Sequence, residues 1–423
     1  MEHDLVLEGR VVTSAGLLDT EVGVSEGIIR QVGRGLKGSR RIRAGDCLIF
    51  PGFIDIHVHM REPGWEHKED YRTGTEAAAH GGVTTVVDMP NNPTPANTKE
   101  TIDAKRRLAS GKALVRMEMN GGVNPGDLGS LGELAPVVAG YKIYLSETTG
   151  AGAFPASQLS ACLGVIAATK KPVSLHCEDQ GVVDEMRGKL AGVEGPDIHC
   201  DLRPPRAETE AVARVVNALR AARGVRANVC HASTAETLGM VRSARAEGLQ
   251  LFCEATLHHL FFSRRAMLSN PLLKANPPLR SEEDRGALLR GVRTGEVSFL
   301  VTDHAPHTLE EKRAGAAGVT GLDDYAHVAT WLIRREGVEP STISKVACAN
   351  PALFLGLRDR GSVAAGMRAD FTVIDLHAPE TVNGEALRTK CGWSPYEGRE
   401  FPGRARWTIV GGEPVLDECE IVR

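Results

Sequence analysis

Six side chains able to hold a metal ion stand at the ends of short apolar runs in this 423-residue chain. His57 and His59 lie two residues apart in IFPGFIDIHVH (49–59), and Lys142 sits within GYKIYL (140–145). His176 is near the end of PVSLHC (172–177), while His231 closes RANVCH (226–231) and Asp303 closes VSFLVTD (297–303). Side chains two apart on an extended strand project to one side, so His57 and His59 can grip one ion. Neutral imidazole suits zinc, and a carboxylate such as Asp303 can complete the set. Lys142 is the odd member: its ammonium would repel a metal ion, so it is either an ordinary strand lysine or one that has lost its charge. Arg61, two residues beyond His59, should face the same mouth, where a guanidinium can bind a carboxylate through paired hydrogen bonds. Read alone, it is also an ordinary solvated arginine. A single histidine at a strand end is usually unremarkable; agreement among five runs is what points to a site. His3, His67, His80, His199, His327 and His377 fit no strand end and are read as ordinary histidines.

These positions share a mouth only in a particular architecture. The runs VTTVVDM (83–89), LVRMEMN (114–120) and LQLFCE (249–254) bring the set to eight. Helix-like segments at 98–108, 156–170, 207–223, 235–247 and 282–294 separate most of them. Buried parallel strands read as continuous apolar runs because helices cover both faces. The pattern predicts a (β/α)8 barrel, whose working residues sit at the C-terminal ends of its strands. At both chain ends, segments such as DLVLEGRVVT (4–13) and RARWTIVGGEPVLD (404–417) alternate apolar and polar residues between Gly-rich breaks. They predict one small β domain assembled from 1–49 and 365–423 around a barrel over 50–364. The loop-like stretch 310–321, after the eighth run, is read as an active-site lid. A net charge of −4 argues against a dedicated nucleic-acid binder. No apolar run approaches the roughly 18 residues of a membrane span. Nine cysteines without a C-x-x-C pair suit a reducing cytoplasm.

Longer motifs carry a resemblance. DIHVHMREPGWEHKEDY (55–71), DMPNNPTP (88–95), YKIYLSET (141–148), SLHCEDQ (174–180), VCHAST (229–234) and CEATLHHLFF (253–262) occur in that order. KANPPLRSEED (274–284), TDHAPHTLEEK (302–312) and WSPYEGREFPGRARWTIVGGEPV (393–415) follow. Together they resemble the amidohydrolase superfamily in its type I dihydroorotase form, over essentially the whole chain. The resemblance implies two Zn2+ per subunit: His57, His59 and Asp303 hold the more buried ion, His176 and His231 the more exposed one. A hydroxide and a carbamylated Lys142 would bridge them. Some bacterial members bridge with a carboxylate instead, but Lys142 in YKIYL favours the carbamate. The hydroxide would attack the ring amide, with Asp303 as general base and then acid. Run backwards, the reaction closes N-carbamoyl-L-aspartate to L-dihydroorotate in de novo pyrimidine (UMP) synthesis. Arg61, Asn91 and His307 would hold the substrate carboxylate; Asn276 and the backbone near Gly321 and Leu322 would meet the pyrimidine edge. Asn91 lies in Pro-Asn-Asn-Pro, itself a strong turn signal, and both readings can hold.

Cys230 and Glu254 could join His176 in an additional soft-metal site; a buried thiol and a loop-pairing carboxylate are the favoured reading. Rival functions are an allantoinase or a hydantoinase/dihydropyrimidinase, and a non-catalytic scaffold. Filled ligand positions argue against the scaffold. The expected partner is a small-molecule substrate, with a homodimer or attachment to other pyrimidine-pathway enzymes left open.

Overall fold

A computed structural model describes residues 2–195 and 197–422. The chain opens with β1 (Glu2–Thr13), β2 (Gly16–Ser25), β3 (Ile28–Gly33) and β4 (Lys37–Pro51). Eight further strands follow: β5 (Phe53–Val58), β6 (Val83–Asp88), β7 (Arg116–Gly122), β8 (Gly140–Tyr144), β9 (Val173–His176), β10 (Ala227–Val229), β11 (Leu251–Thr256) and β12 (Phe299–Val301). It closes with β13 (Phe371–Asp375), β14 (Glu380–Thr381), β15 (Glu400–Phe401), β16 (Arg404–Val410), β17 (Glu413–Asp417) and β18 (Glu420–Ile421).

Strands β5 to β12 pair in sequence order, each parallel to the next. A parallel bridge between Val58 and His304, with His59 N–H donating to the His304 carbonyl at 2.8 Å, joins the first strand's end to the last. The expected (β/α)8 barrel is therefore present. Every residue of β5 and β6 is buried, as continuous apolar strands sandwiched under helices should be. The helices between them start on side-chain caps. Asp70 accepts from the Arg72 and Thr73 N–H groups, and Thr98, Thr234 and Ser281 accept in the same way at later helices.

The two chain ends meet as expected in one sheet of order β18-β17-β16-β13-β4-β1-β2-β3. β13 runs antiparallel to β4, placing Phe371 opposite Pro51 and Ile374 opposite Leu48. Leu5, Val22, Ile29, Phe371, Trp407 and Ile409 share its separate apolar core. The chain crosses from this sheet into the barrel at Gly52. A Cβ there would lie 2.1 Å from Thr84 Oγ1, so any larger residue would have to displace the Thr84 side chain.

Candidate functional site

Side chains converge at the C-terminal mouth of the barrel because the chain turns inward just past the strand ends. Arg61, His231 and Asp303 do so with left-handed backbone, at φ of 62°, 38° and 46°. Such a conformation costs a non-glycine residue on the order of 1–3 kcal/mol and persists only where its surroundings hold it. Around Asp303 the hold is visible. Asp55 accepts from the Thr302 hydroxyl at 2.6 Å and the Thr302 N–H at 3.1 Å, and its other oxygen accepts from His57 N–H at 3.1 Å. One buried carboxylate thus locks the end of β5 to the end of β12. Burial pushes the Asp55 carboxyl up to about 7.

The six expected ligands come together. His57 Nε2 and His59 Nε2 lie 3.3 and 3.1 Å from the same Asp303 oxygen. His176 Nδ1 is 2.9 Å from His231 Nε2, and Lys142 Nζ is 3.4 Å from His57 Nε2. All six are buried. His57 is 1% exposed and His176 and His231 are 3% exposed, whereas His59 is 8% exposed. His57 lies within β5 and His59 just past its end, so the later one of the pair sits higher.

Three outer groups set the imidazole tautomers. Glu254 accepts from His57 Nδ1, and Glu178 accepts from His176 Nε2 at 2.8 Å. Asn91 donates its amide N–H to the Thr149 carbonyl at 2.7 Å, which leaves its Oδ1 to accept from His59 Nδ1 at 2.8 Å. In each ring the proton is drawn to the nitrogen facing outward, leaving a lone pair on the nitrogen that faces the mouth. Burial lowers His59 to about 3 and lowers His176 and His231 as well, so neutral rings are favoured. Burial opposes ionisation of Glu178, but the Arg203 guanidinium and His176 outweigh it and hold the carboxyl at about 2. Lone pairs and one carboxylate therefore converge, and this donor set fits a divalent metal ion of the zinc type, with Lys142 the one basic side chain of the six.

Lys142 is 1% exposed and has no carboxylate within ion-pair distance among the described residues. Its closest polar partner is Cys230 Sγ at 2.8 Å. A buried ammonium without a counter-charge is costly. A carbamate on this nitrogen would remove that charge and add an anionic ligand, so the residue fits the group the resemblance implies.

Arg61 is 3% exposed, donates Nε–H to the Pro306 carbonyl at 3.1 Å and places Nη2 3.4 Å from His307 Nε2. Among the described residues it has no carboxylate partner. His307 in turn has Glu311 at 3.3 Å, and burial together with Arg61 and Lys68 lowers it to about 3. Asn276 lines the same cavity, and its buried Oδ1 has no hydrogen-bond partner among the described residues.

Two expectations are corrected. The Gly321 and Leu322 N–H groups point at His304 Nδ1, at 3.2 and 3.4 Å, so they are spent inside the protein; Ala317 and Gly318 line the cavity instead. Glu254 is not a loop-pairing residue. It lies inside β11 and accepts from Asn228, from His231 N–H and from His57. Cys230 and Glu254 consequently gather around His57 rather than His176.

Sequence reasoning missed Glu178 and Tyr144, whose hydroxyl lacks a partner among the described residues. Each stands two residues beyond a flagged residue, so the same-side spacing applied to His57 and His59 would have found both.

The Amidohydrolase family matches residues 48–415. The chain belongs to that family. A dihydroorotase of Pyrococcus furiosus is 34% identical over 99% of this chain and 94% of its own length. A dihydroorotase of Methanothermobacter thermautotrophicus is 34% identical over 96% and 93%. Among solved structures, an L-hydantoinase (dihydropyrimidinase) from Arthrobacter aurescens superposes with a TM-score of 0.96 at 24% identity, covering 100% of this chain and 98% of its own. That last likeness establishes the fold alone. The protein is an enzyme, a cyclic amidohydrolase, and no helix among its described residues is long and apolar enough to cross a membrane.

Proposed function

We propose that this enzyme is a zinc-dependent dihydroorotase, interconverting N-carbamoyl-L-aspartate and L-dihydroorotate in pyrimidine synthesis. The observation that carries this reading is Arg61, a buried guanidinium without a carboxylate partner in the cavity that holds the histidine cluster. A cation held dry without a counter-ion is destabilising by itself and is matched by an anionic ligand. The ring carboxylate of dihydroorotate supplies that anion, and a fork of two N–H donors matches its geometry. Relatives named dihydroorotase over nearly the whole chain support the same reading.

His57, His59 and Asp303 would hold one zinc and His176 and His231 the other, with Lys142 between them as a carbamate formed when its neutral amine adds to CO2 and releases a proton. Zinc bound there would supply a nucleophilic water at neutral pH and would polarise the ring carbonyl. Asp303 is the only carboxylate among the described residues lining the cavity. It takes a proton from the attacking water and returns it to the ring nitrogen as the amide C–N bond breaks. Arg61 and His307 hold the substrate carboxylate, and Asn276 meets the ring edge. Asn91 has a second task here, because its Oδ1 already orients His59; with one amide N–H on the Thr149 carbonyl, its second N–H is the group left for the substrate.

The test starts metal-loaded protein from N-carbamoyl-L-aspartate and, separately, from L-dihydroorotate. Approach to one equilibrium ratio from both sides supports the reading. Turnover of dihydrouracil, hydantoin or allantoin with neither of these compounds converted would refute it.

A further inference from the structure

We propose that His199, His259 and Lys312 form a cradle of three donors that fixes the strip 274–277 and thereby aims Asn276 at the substrate ring. The proposal rests on reading Asn276 as a substrate contact and names the residues that set its position.

Three connections that follow different barrel strands meet on this strip. His199, in the short helix Ile198–Leu202 after β9, donates Nε2–H to the Ala275 carbonyl at 2.9 Å. His259, in the helix Leu257–Phe261 after β11, donates Nε2–H to the Pro277 carbonyl at 3.1 Å. Lys312, in the helix Leu309–Arg313 after β12, donates to the Lys274 carbonyl at 2.8 Å. The carbonyls on both sides of Asn276 are thus taken by side chains, while its own Oδ1 is buried without a partner among the described residues.

The strip needs such help because Pro277 and Pro278 carry no N–H and cannot join a backbone ladder. Each donor is itself fixed. Thr256 places its hydroxyl 2.7 Å from His259 Nδ1, so that nitrogen accepts and the proton stays on Nε2. Arg264 clamps the helix bearing His199 through Asp197 and Asp201, at 2.6 and 2.9 Å. Lys312 is 4% exposed and uses its remaining N–H bonds on the Ala316 and Gly318 carbonyls, at 3.0 and 2.7 Å. That third bond ties the cavity-lining Gly318 to the same ammonium. A Cβ on Gly318 would lie 2.5 Å from the Ala305 carbonyl oxygen, so the loop is seated against the site wall. The stretch read from sequence as a lid is therefore anchored at its centre.

The test measures KM, kcat and metal content on whichever ring the protein opens. Lys312→Met, His259→Leu and His199→Leu remove a donor; His259→Gln and His199→Gln keep an N–H at similar reach. The expected result is a KM raised about fivefold in the donor-less variants, with kcat within about twofold and metal content unchanged. The Gln variants should recover most of the loss. In an Asn276→Ala background the same substitutions should add nothing, because the residue they position is gone. Equal KM increases in both backgrounds, or a loss of kcat together with metal, would overturn the cradle. If Asn276→Ala raises KM while the donor-less variants bind normally, the cradle alone is wrong. If Asn276→Ala leaves KM unchanged, the substrate-contact reading fails and takes the cradle with it. Should Lys312→Met not fold, the His199→Leu and His199→Gln pair decides by itself.

Discussion

Replacing Arg61 separates substrate choice from catalysis. The guanidinium is 3% exposed, its Nε–H is used on the Pro306 carbonyl, and among the described residues no carboxylate lies within ion-pair distance. Nη1, and the N–H of Nη2 that does not face His307, are the groups left for a ligand. Loss of a paired, charge-assisted contact is worth about 3 kcal/mol, so Arg61→Met should lower kcat/KM for a carboxylated ring on the order of a hundredfold. Arg61→Lys keeps the charge but loses the fork, and about tenfold is expected. Neither variant should change kcat/KM for dihydrouracil, which lacks the carboxylate, by more than about twofold. Stability should move the other way. Arg61→Met frees the Pro306 carbonyl, which costs about 1 kcal/mol, but removes an unpaired buried charge, so Tm should not fall. Steady-state kinetics on both rings and a thermal melt read all three numbers. A fall of less than about threefold on the carboxylated ring, or equal falls on both rings, would refute the reasoning.

Asp303→Asn should leave the fold and cavity intact while lowering kcat by about 10²–10⁴, the usual contribution of a general acid/base; near-normal turnover would remove Asp303 from that role. Glu254→Gln should weaken metal affinity about 10–100-fold, because His57 loses the carboxylate that draws its proton outward; unchanged affinity in a chelator titration would contradict this. His327 offers a test of stability against pH. Burial opposes its protonation, yet Asp324 and Glu380, at 3.4 and 3.2 Å, raise it to about 9. A raised folded-state value means the native protein holds a proton the unfolded chain gives up. The stabilisation is thus complete below about 6.5 and lost as pH rises through about 9, at most about 3 kcal/mol. Tm should fall across that window in the wild type and much less in His327→Gln; parallel curves would show that His327 carries no such linkage.

The barrel and the cluster of polar side chains at its mouth were legible because two short-range regularities suffice for them. A parallel strand buried on both faces must be a continuous apolar run, and one polar residue closing such a run falls at the common mouth. That logic found His57, His176, His231 and Asp303 without any partner being known. It did not show that Asp303, His231 and Arg61 turn inward through left-handed backbone, since even Asp and His, which favour that conformation among non-glycine residues, adopt it in a small minority of positions. The tautomer-setting groups were half legible. Glu178 stands at strand spacing from His176, but the Asn91 contact to His59 joins loops 32 residues apart. His199 was dismissed because it fits no strand end; its contact to the Ala275 carbonyl spans 76 residues and exists only once two βα connections pack together. The Gly321–Leu322 expectation failed for a similar reason, because a buried His304 claims those N–H groups first.

The most direct measurement of the central claim is kcat/KM for L-dihydroorotate against dihydrouracil, on one metal-loaded preparation. The account predicts a preference for the carboxylated ring on the order of a hundredfold or more, set by Arg61. Equal rates, or a preference for the neutral ring, would contradict it.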